Sequence, residues 1–187
     1  MTDHQARELF EELSNEMDGT FRSMEHCFGE INKQLTKGFG LEIATVCMTN
    51  GYTEKQKYHA IINRHDDEVA KKSFGFTFSQ HEKALIRLVV EKLVEDGSSD
   101  RKTLINLRSD LKEPYKLTLP QAEHCIEVLL EEEWLILGPE EENGARRRES
   151  IQAKVRMGPR SYLELSQVLT NMGLGEEELP QFIFHRA

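Results

Sequence analysis

"WLILGPEEENGARRRESIQAKVRMGPR" runs from Trp134 to Arg160, and its reading decides the architecture of the second half of the chain. "WLIL" is a short apolar run of strand length. "SIQAKVRM" alternates, with Ile151, Ala153, Val155 and Met157 on one side and Gln152, Lys154 and Arg156 on the other. Successive strand side chains point to opposite faces, so this alternation predicts a half-buried strand. Glu140 to Glu142 and Arg146 to Arg148 crowd the loop between the two runs. The stretch reads as a β-hairpin with a charged tip: a wing that touches DNA, or the corner of a scaffold that grips another protein.

Three helices are predicted upstream of it. "SQHE" at Ser79 to Glu82 fits a capping box, in which the serine hydroxyl and the glutamate carboxylate satisfy each other's backbone N–H groups. The helix that follows carries Leu85, Ile86, Val89, Val90, Leu93 and Val94 on one broad face and stops at Gly97. A second helix spans about Asp100 to Leu111, with Leu104, Leu107 and Leu111 on one stripe. "TLPQ" at Thr118 to Gln121 is another capping box, with Pro120 tolerated in the first turn, and its helix buries Ala122, Cys125, Ile126, Leu129 and Leu130. Downstream, "GPRSYLELSQVL" starts a further helix at Pro159. Three helices followed by a β-hairpin is the order of a winged helix.

The first half repeats part of this pattern. Leu9, Phe10, Leu13 and Met17 fall on one helical stripe, and Met24, Cys27, Phe28, Ile31 and Leu35 on another that ends at the glycines of "GFG". "LEIATVCM" and "KYHAIINR", with Asn50-Gly51 between them, predict a hairpin over Leu41 to Arg64. Helix, helix, hairpin is the same architecture with one element missing or shortened. The segment from His65 to Phe78 marks a boundary, and its alternating Phe74, Phe76 and Phe78 predict an extended, half-buried path. The predicted fold is α+β, mainly α with small β-hairpins: tandem winged-helix domains over residues 1–75 and 76–172, packed through "FGFTF". Residues 173–187 are read as a short, acidic and apolar, unfolded tail.

Composition narrows the function. The chain has 187 residues, 38% apolar and 30% charged, with a formal net charge of −9. Such a balance allows folding but confines any DNA contact to local basic patches. Cys27, Cys47 and Cys125 are odd in number and far apart, which points to a reducing compartment rather than a disulfide framework. No apolar run is long enough for a membrane span, and the acidic, polar start is unlike a signal peptide. A soluble intracellular protein is expected.

The chemistry of individual motifs narrows it further. A helix entering the major groove must pass between phosphates, yet the third helix carries Glu123, Glu127 and Glu131 to Glu133 and no lysine or arginine. The wing differs: Arg148, Lys154 and Arg156 share a parity along one strand, with Arg146 and Arg147 at the tip, and such a stripe fits phosphates without reading sequence. The alternative is a solvated face in which Glu140 to Glu142 neutralise the arginines. His26-Cys27 and His124-Cys125 are neighbours on predicted helices, where adjacent side chains diverge by about 100°, so buried cysteines are expected and no metal site. No nucleophile elbow, Walker loop or dinucleotide fingerprint is present, and no catalytic residue or cofactor is assigned. Protein binding remains. Its candidates are Phe74, Phe76 and Phe78, for which domain packing is the alternative, and Phe182, Ile183 and Phe184, for which disorder is the alternative.

"CIEVLLEEEWLIL", the polar wing and "MGPRSYLELSQVL" together resemble the second winged helix of non-SMC element 1, a subunit of the structural-maintenance-of-chromosomes five/six complex. "INKQLTKGFGLEIATV", "YHAIIN" and "FSQHEKALIRLVVEKLVED" are similar to the first-domain helix, hairpin and inter-domain helix of that family. The resemblance covers roughly Phe28 to Met172. It implies a scaffold subunit that binds a MAGE-domain subunit (non-SMC element 3) and the kleisin subunit (non-SMC element 4), acts in DNA repair and recombination in the nucleus on chromatin, and contacts DNA as part of the complex. Two departures are expected to matter. The family usually has an additional helical segment at its N-terminus, and this chain is expected to begin too late to hold all of it. Family members also end in a variant RING, the part tied to E3 ubiquitin ligase activity, which needs eight zinc ligands, whereas after Cys125 there is no cysteine and His185 is the one histidine. Ligase activity is therefore not expected of these residues. The alternative functions are a DNA-binding winged-helix regulator and a subunit of a RING-type ligase.

Overall fold

The computed structural model describes residues 1–16, 22–50, 54–63, 78–138 and 154–185. In chain order its elements are α1 (Asp3–Glu16), α2 (Met24–Phe39), β1 (Leu41–Asn50), β2 (Glu54–Asn63), α3 (Gln80–Asp96), α4 (Arg101–Asn106), α5 (Leu119–Glu131), β3 (Leu135–Leu137), β4 (Val155–Met157), α6 (Pro159–Asn171) and β5 (Gln181–Phe184). They form two compact units, Met1–Phe76 with Pro180–Ala187, and Thr77–Leu179. The mixture of helices with small antiparallel sheets is the α+β class expected.

In the first unit α2 begins at Ser23, whose hydroxyl accepts from the His26 N–H at 3.1 Å, and ends at Gly40 with φ +66°. Glycine fits there because its N–H must turn back to the Leu35 and Thr36 carbonyls in a left-handed conformation. The chain passes at once into β1, which pairs antiparallel with β2 from Leu41–Asn63 to Asn50–Glu54. Against the other edge of β1 lies β5, with Ala44 opposite Phe184 and Cys47 opposite Gln181. This corrects the reading of residues 173–187 as an unfolded tail: a 3-10 turn at Glu176–Glu178 belongs to the second unit, and "QFIF" completes the sheet of the first. The physical reason is β1 itself, whose outer edge presents backbone N–H and C=O groups that gain by pairing.

The helix stripes also turn out rotated. On α1 only Ala6 is buried, while Leu9 and Leu13 stay exposed. On α2 the buried positions are Met24, Gly29 and Asn32, and Ile31 faces solvent. Asn32 explains the rotation. Its Nδ2 donates to the Ile43 carbonyl at 3.0 Å and the His185 carbonyl at 3.3 Å, and its Oδ1 accepts from the Ile43 N–H at 2.7 Å. A buried amide so completely engaged fixes which face of α2 meets the sheet.

The second unit follows the expected order closely. At the start of α3 the Glu82 N–H donates to Ser79 Oγ at 3.2 Å and the Ser79 N–H to Glu82 Oε2 at 2.7 Å. Leu85, Val89, Val90 and Leu93 are buried along it, each contributing about 1.5–3 kcal/mol relative to exposure. Asp100 caps α4 by accepting from the Thr103 N–H and hydroxyl at 2.8 and 2.6 Å, and the helix tightens to a 3-10 turn at Leu107–Asp110. Gln121 Oε1 accepts from the Thr118 N–H and hydroxyl at 2.9 and 2.8 Å at the head of α5, which buries Ala122, Cys125, Ile126 and Leu129. β3 and β4 pair from Leu135–Met157 to Leu137–Val155, and Ser99 exchanges backbone hydrogen bonds with Val155 on the far edge of β4.

Trp134 to Arg160 closes on itself at the base of this hairpin. Glu133 adopts φ +60°, which swings Trp134 into the core, where only 3% of it is exposed. The Gly158 N–H and the Ser161 hydroxyl both donate to the Trp134 carbonyl, at 2.7 and 2.6 Å, and the Arg160 N–H donates to the Glu133 carbonyl at 3.2 Å. A Cβ on Gly158 would lie 2.2 Å from the Glu133 carbonyl oxygen, so this backbone crossing requires glycine. Arg160 then lies 4.5 Å over the Trp134 ring, with Nη1 on Glu132 and Nε on Glu164, both at 2.7 Å.

Candidate functional site

The sequence-predicted phosphate contacts are only partly within the described residues. Lys154 is exposed at the root of the hairpin and Arg156 is half-buried on β4. Arg146, Arg147 and Arg148 lie outside the described residues, so their place in a common stripe is not fixed by the structure. The outer face of α5 is plain: Glu123 and Glu127 are exposed, and Glu127 takes Arg101 at 2.8 Å. Carboxylates on that face oppose phosphate approach. Inside the same helix Cys125 is fully buried, and its thiol is pushed up to about 12 by burial, with the Glu82 charge adding to the effect. A thiol held protonated at neutral pH serves packing, not nucleophilic attack.

The predicted partner-binding residues are similarly divided. Phe74 and Phe76 lie outside the described residues, whereas Phe78 is buried immediately before the α3 cap. Phe182 and Ile183 are half-buried on β5, and the Phe184 backbone pairs opposite Ala44. The structure thus unites the three tail residues in one strand. Exposed apolar side chains occur elsewhere on the first unit, at Leu9, Leu13, Ile31, Ile61 and most of all Phe39, which is 73% exposed.

A polar junction that the sequence reading did not find lies where α1, α2, β1, β2 and β5 meet. His59 on β2 is almost fully buried, with Nε2 3.1 Å from Asp3 Oδ1 and Nδ1 2.7 Å from Thr45 Oγ1. Thr45 Oγ1 is also 2.7 Å from His185 Nε2. Phe28 flanks both imidazoles, with ring centroids 5.2 Å from His59 and 5.1 Å from His185. Since an ionised Asp3 only accepts, a neutral His59 donates from Nε2 and accepts from the Thr45 hydroxyl at Nδ1, leaving Thr45 to accept from His185 Nε2–H. Burial pushes both histidines below their ordinary range, and the neighbouring His59 adds to the effect on His185. For Asp3, burial acts upward but is outweighed by hydrogen bonds and charge from Arg7 and His59, so its carboxyl is held below the ordinary range. These side chains border a cavity of about 280 Å³ that Glu25 and Lys57 also line. In the sequence Asp3, Thr45, His59 and His185 share no local motif; only the hairpin register, Thr45 opposite His59, joins any two of them.

Among the described residues no group of three or more His, Cys, Asp or Glu side chains is placed to hold a metal ion. No described helix is long and apolar enough to cross a membrane.

Residues 1–165 match the family model described as the Nse1 non-SMC component of the SMC5-6 complex. The chain belongs to the Nse1 family. The Nse1 match takes in α1 to β4 and the first turns of α6, including Asp3, Thr45 and His59, and ends before His185. A solved chain from an assembly titled "Nse1-Nse3-Nse4 complex" has the same fold, with a TM-score of 0.68 at 17% identity over 91% of this chain and 67% of that one. No curated protein matches the chain significantly. Membership in Nse1 also makes sense of "WLIL…MGPR": the stretch that carried the resemblance is the one whose backbone crossing requires Gly158 and whose ring stacks under Arg160.

Proposed function

We infer that this Nse1-family chain is a non-catalytic scaffold subunit of the SMC5-6 complex. It binds the MAGE-domain subunit Nse3 and the kleisin Nse4 through the surfaces of two winged-helix domains. Its work is DNA repair and recombination, in the nucleus and on chromatin. The observation that carries this reading is the family match over residues 1–165. The fold shared with a chain of the Nse1-Nse3-Nse4 complex supports the choice of partners. Helix, helix, helix, hairpin in the second unit supports the winged-helix assignment.

The mechanism is stoichiometric. Apolar side chains left in water by the isolated fold, among them Leu9, Leu13, Ile31 and Phe39, favour a partner that removes them from it. A buried Cys125 and an aspartate–histidine junction committed to holding β5 suit a scaffold, which asks no bond-making of its residues. Any grip on DNA is shared with the partners, because the outer face of α5 repels phosphate and Lys154 and Arg156 are the described cations of the wing. Co-expression with a MAGE-domain subunit, followed by size-exclusion chromatography at micromolar concentration, tests this. A one-to-one co-eluting species is expected; a well-folded chain that elutes alone contradicts it.

A further inference from the structure

The sheet of the first unit is closed by a strand of four residues, and short antiparallel strands need side-chain support to stay in place. That support comes from the residue after β5. The His185 carbonyl accepts from Asn32, its ring packs on Phe28, and its Nε2 meets Thr45 Oγ1, which lies on the strand that β5 pairs with.

Hydrogen counting shows what this support depends on. Thr45 has one hydroxyl proton, given to His59 Nδ1, and it receives one from His185 Nε2–H; Asp3 receives the single ring N–H of His59. These three contacts are satisfied together while both rings are neutral. A proton added to His59 enters at Nδ1 and is accommodated only while His185 stays neutral, with its Nε2 switched to accept from the Thr45 hydroxyl. With both rings protonated, His59 Nδ1–H and His185 Nε2–H both point at Thr45 Oγ1, and the Thr45 hydroxyl proton is turned out of its bonds at a site only 1% exposed. A second proton on His185 places two cations on rings 6.4 Å apart. The groups facing them are mixed: Asp3 from α1, Glu25 from α2 and Glu42 from β1 attract, whereas Lys57 from β2 and the Met1 amine repel. Moving β5 off the sheet relieves both conflicts, because His185 then takes its proton in water.

We propose that Asp3, His59, Thr45 and His185 form a proton-operated latch on β5, closed with neutral imidazoles and opened by their protonation. Opening exposes the β1 backbone at Ala44 to Cys47, a strand edge of the kind that pairs with an added strand. The direction of the pH dependence follows from linkage. Both histidines are held below the ordinary value of 6.5 when β5 is docked, so release takes up protons and the latch weakens as pH falls through that value.

The test is amide hydrogen exchange of the full chain, corrected for intrinsic rates, from about pH 7.5 to about pH 5.5, a range that spans histidine titration. Uptake of one proton per release predicts that protection of Gln181 to Phe184 falls by about tenfold, while amides shared only by β1 and β2 hold theirs. His185→Gln, which cannot titrate, is expected to flatten the profile, and Thr45→Ser, which keeps the hydroxyl, to preserve it. A histidine-ring NMR titration of the unaltered chain stands beside the variants in case they fold poorly. Unchanged β5 protection, a fall that persists in His185→Gln, or rings titrating at or above the ordinary value would each overturn the latch.

Discussion

The crossing at Trp134 and the junction at His59 do the same structural job, fastening a late part of the chain onto an earlier hairpin, by opposite physics. At the first, a large ring is buried, a glycine lets two backbones touch, and Arg160 covers the ring with its charge paired to Glu132 and Glu164. At the second, four polar side chains satisfy one another through hydrogen bonds whose directions depend on two histidines being neutral. The difference teaches that a fastening built on a buried ring and crossing backbones does not depend on imidazole protonation, whereas one built on histidine hydrogen bonds does.

Removing the ring should break the comparison most severely. Trp134→Ala leaves a cavity and takes the ring from beneath Arg160, and is expected to cost about 3–5 kcal/mol of stability in urea unfolding followed by circular dichroism. Gly158→Ala forces the backbones apart and is expected to cost about 1–3 kcal/mol, or more if the crossing opens. Because Trp134 is the one tryptophan of the sequence, its fluorescence reports that change directly as a red shift. At the polar junction, Thr45→Val strands His59 Nδ1 and His185 Nε2–H, at about 1–3 kcal/mol, with protection lost at β5 and not at β4.

Acidification separates the two fastenings without a substitution. His59 and His185 are depressed, so the unfolded chain binds more protons as pH falls through 6.5, and stability there rises with pH. In the first unit β5 should lose exchange protection on acidification, while the Trp134 environment stays constant. The smallest effect is expected for Arg160→Lys, which keeps the charge but loses the planar fork over the ring, at about 1 kcal/mol or less by chemical denaturation.

Legibility in the sequence follows the same divide. Ser79–Glu82, Thr118–Gln121 and the Ile151 to Met157 alternation are local patterns, and local patterns report local hydrogen bonds and periodicity; the helices and hairpin of the second unit were accordingly readable. α2 was readable as a helix but not in its rotation, since the stripe rule counts apolar residues and the face is set by Asn32, a polar one. β5 was missed because four residues carry little signal and their partner, β1, is more than a hundred positions away. The histidine junction was illegible for the same reason, made of side chains that meet only after both ends of the first unit reach one sheet. Neither the aromatic segment nor the arginine tip is tested by the geometry: Phe74, Phe76 and Arg146 to Arg148 lie outside the described residues.

The scaffold reading is tested most directly by the mass of an assembly. Native mass spectrometry of this chain co-expressed with the MAGE-domain and kleisin subunits is expected to give one species containing one copy of each. A chain recovered only as a monomer, beside a complex of the other two, would contradict the account.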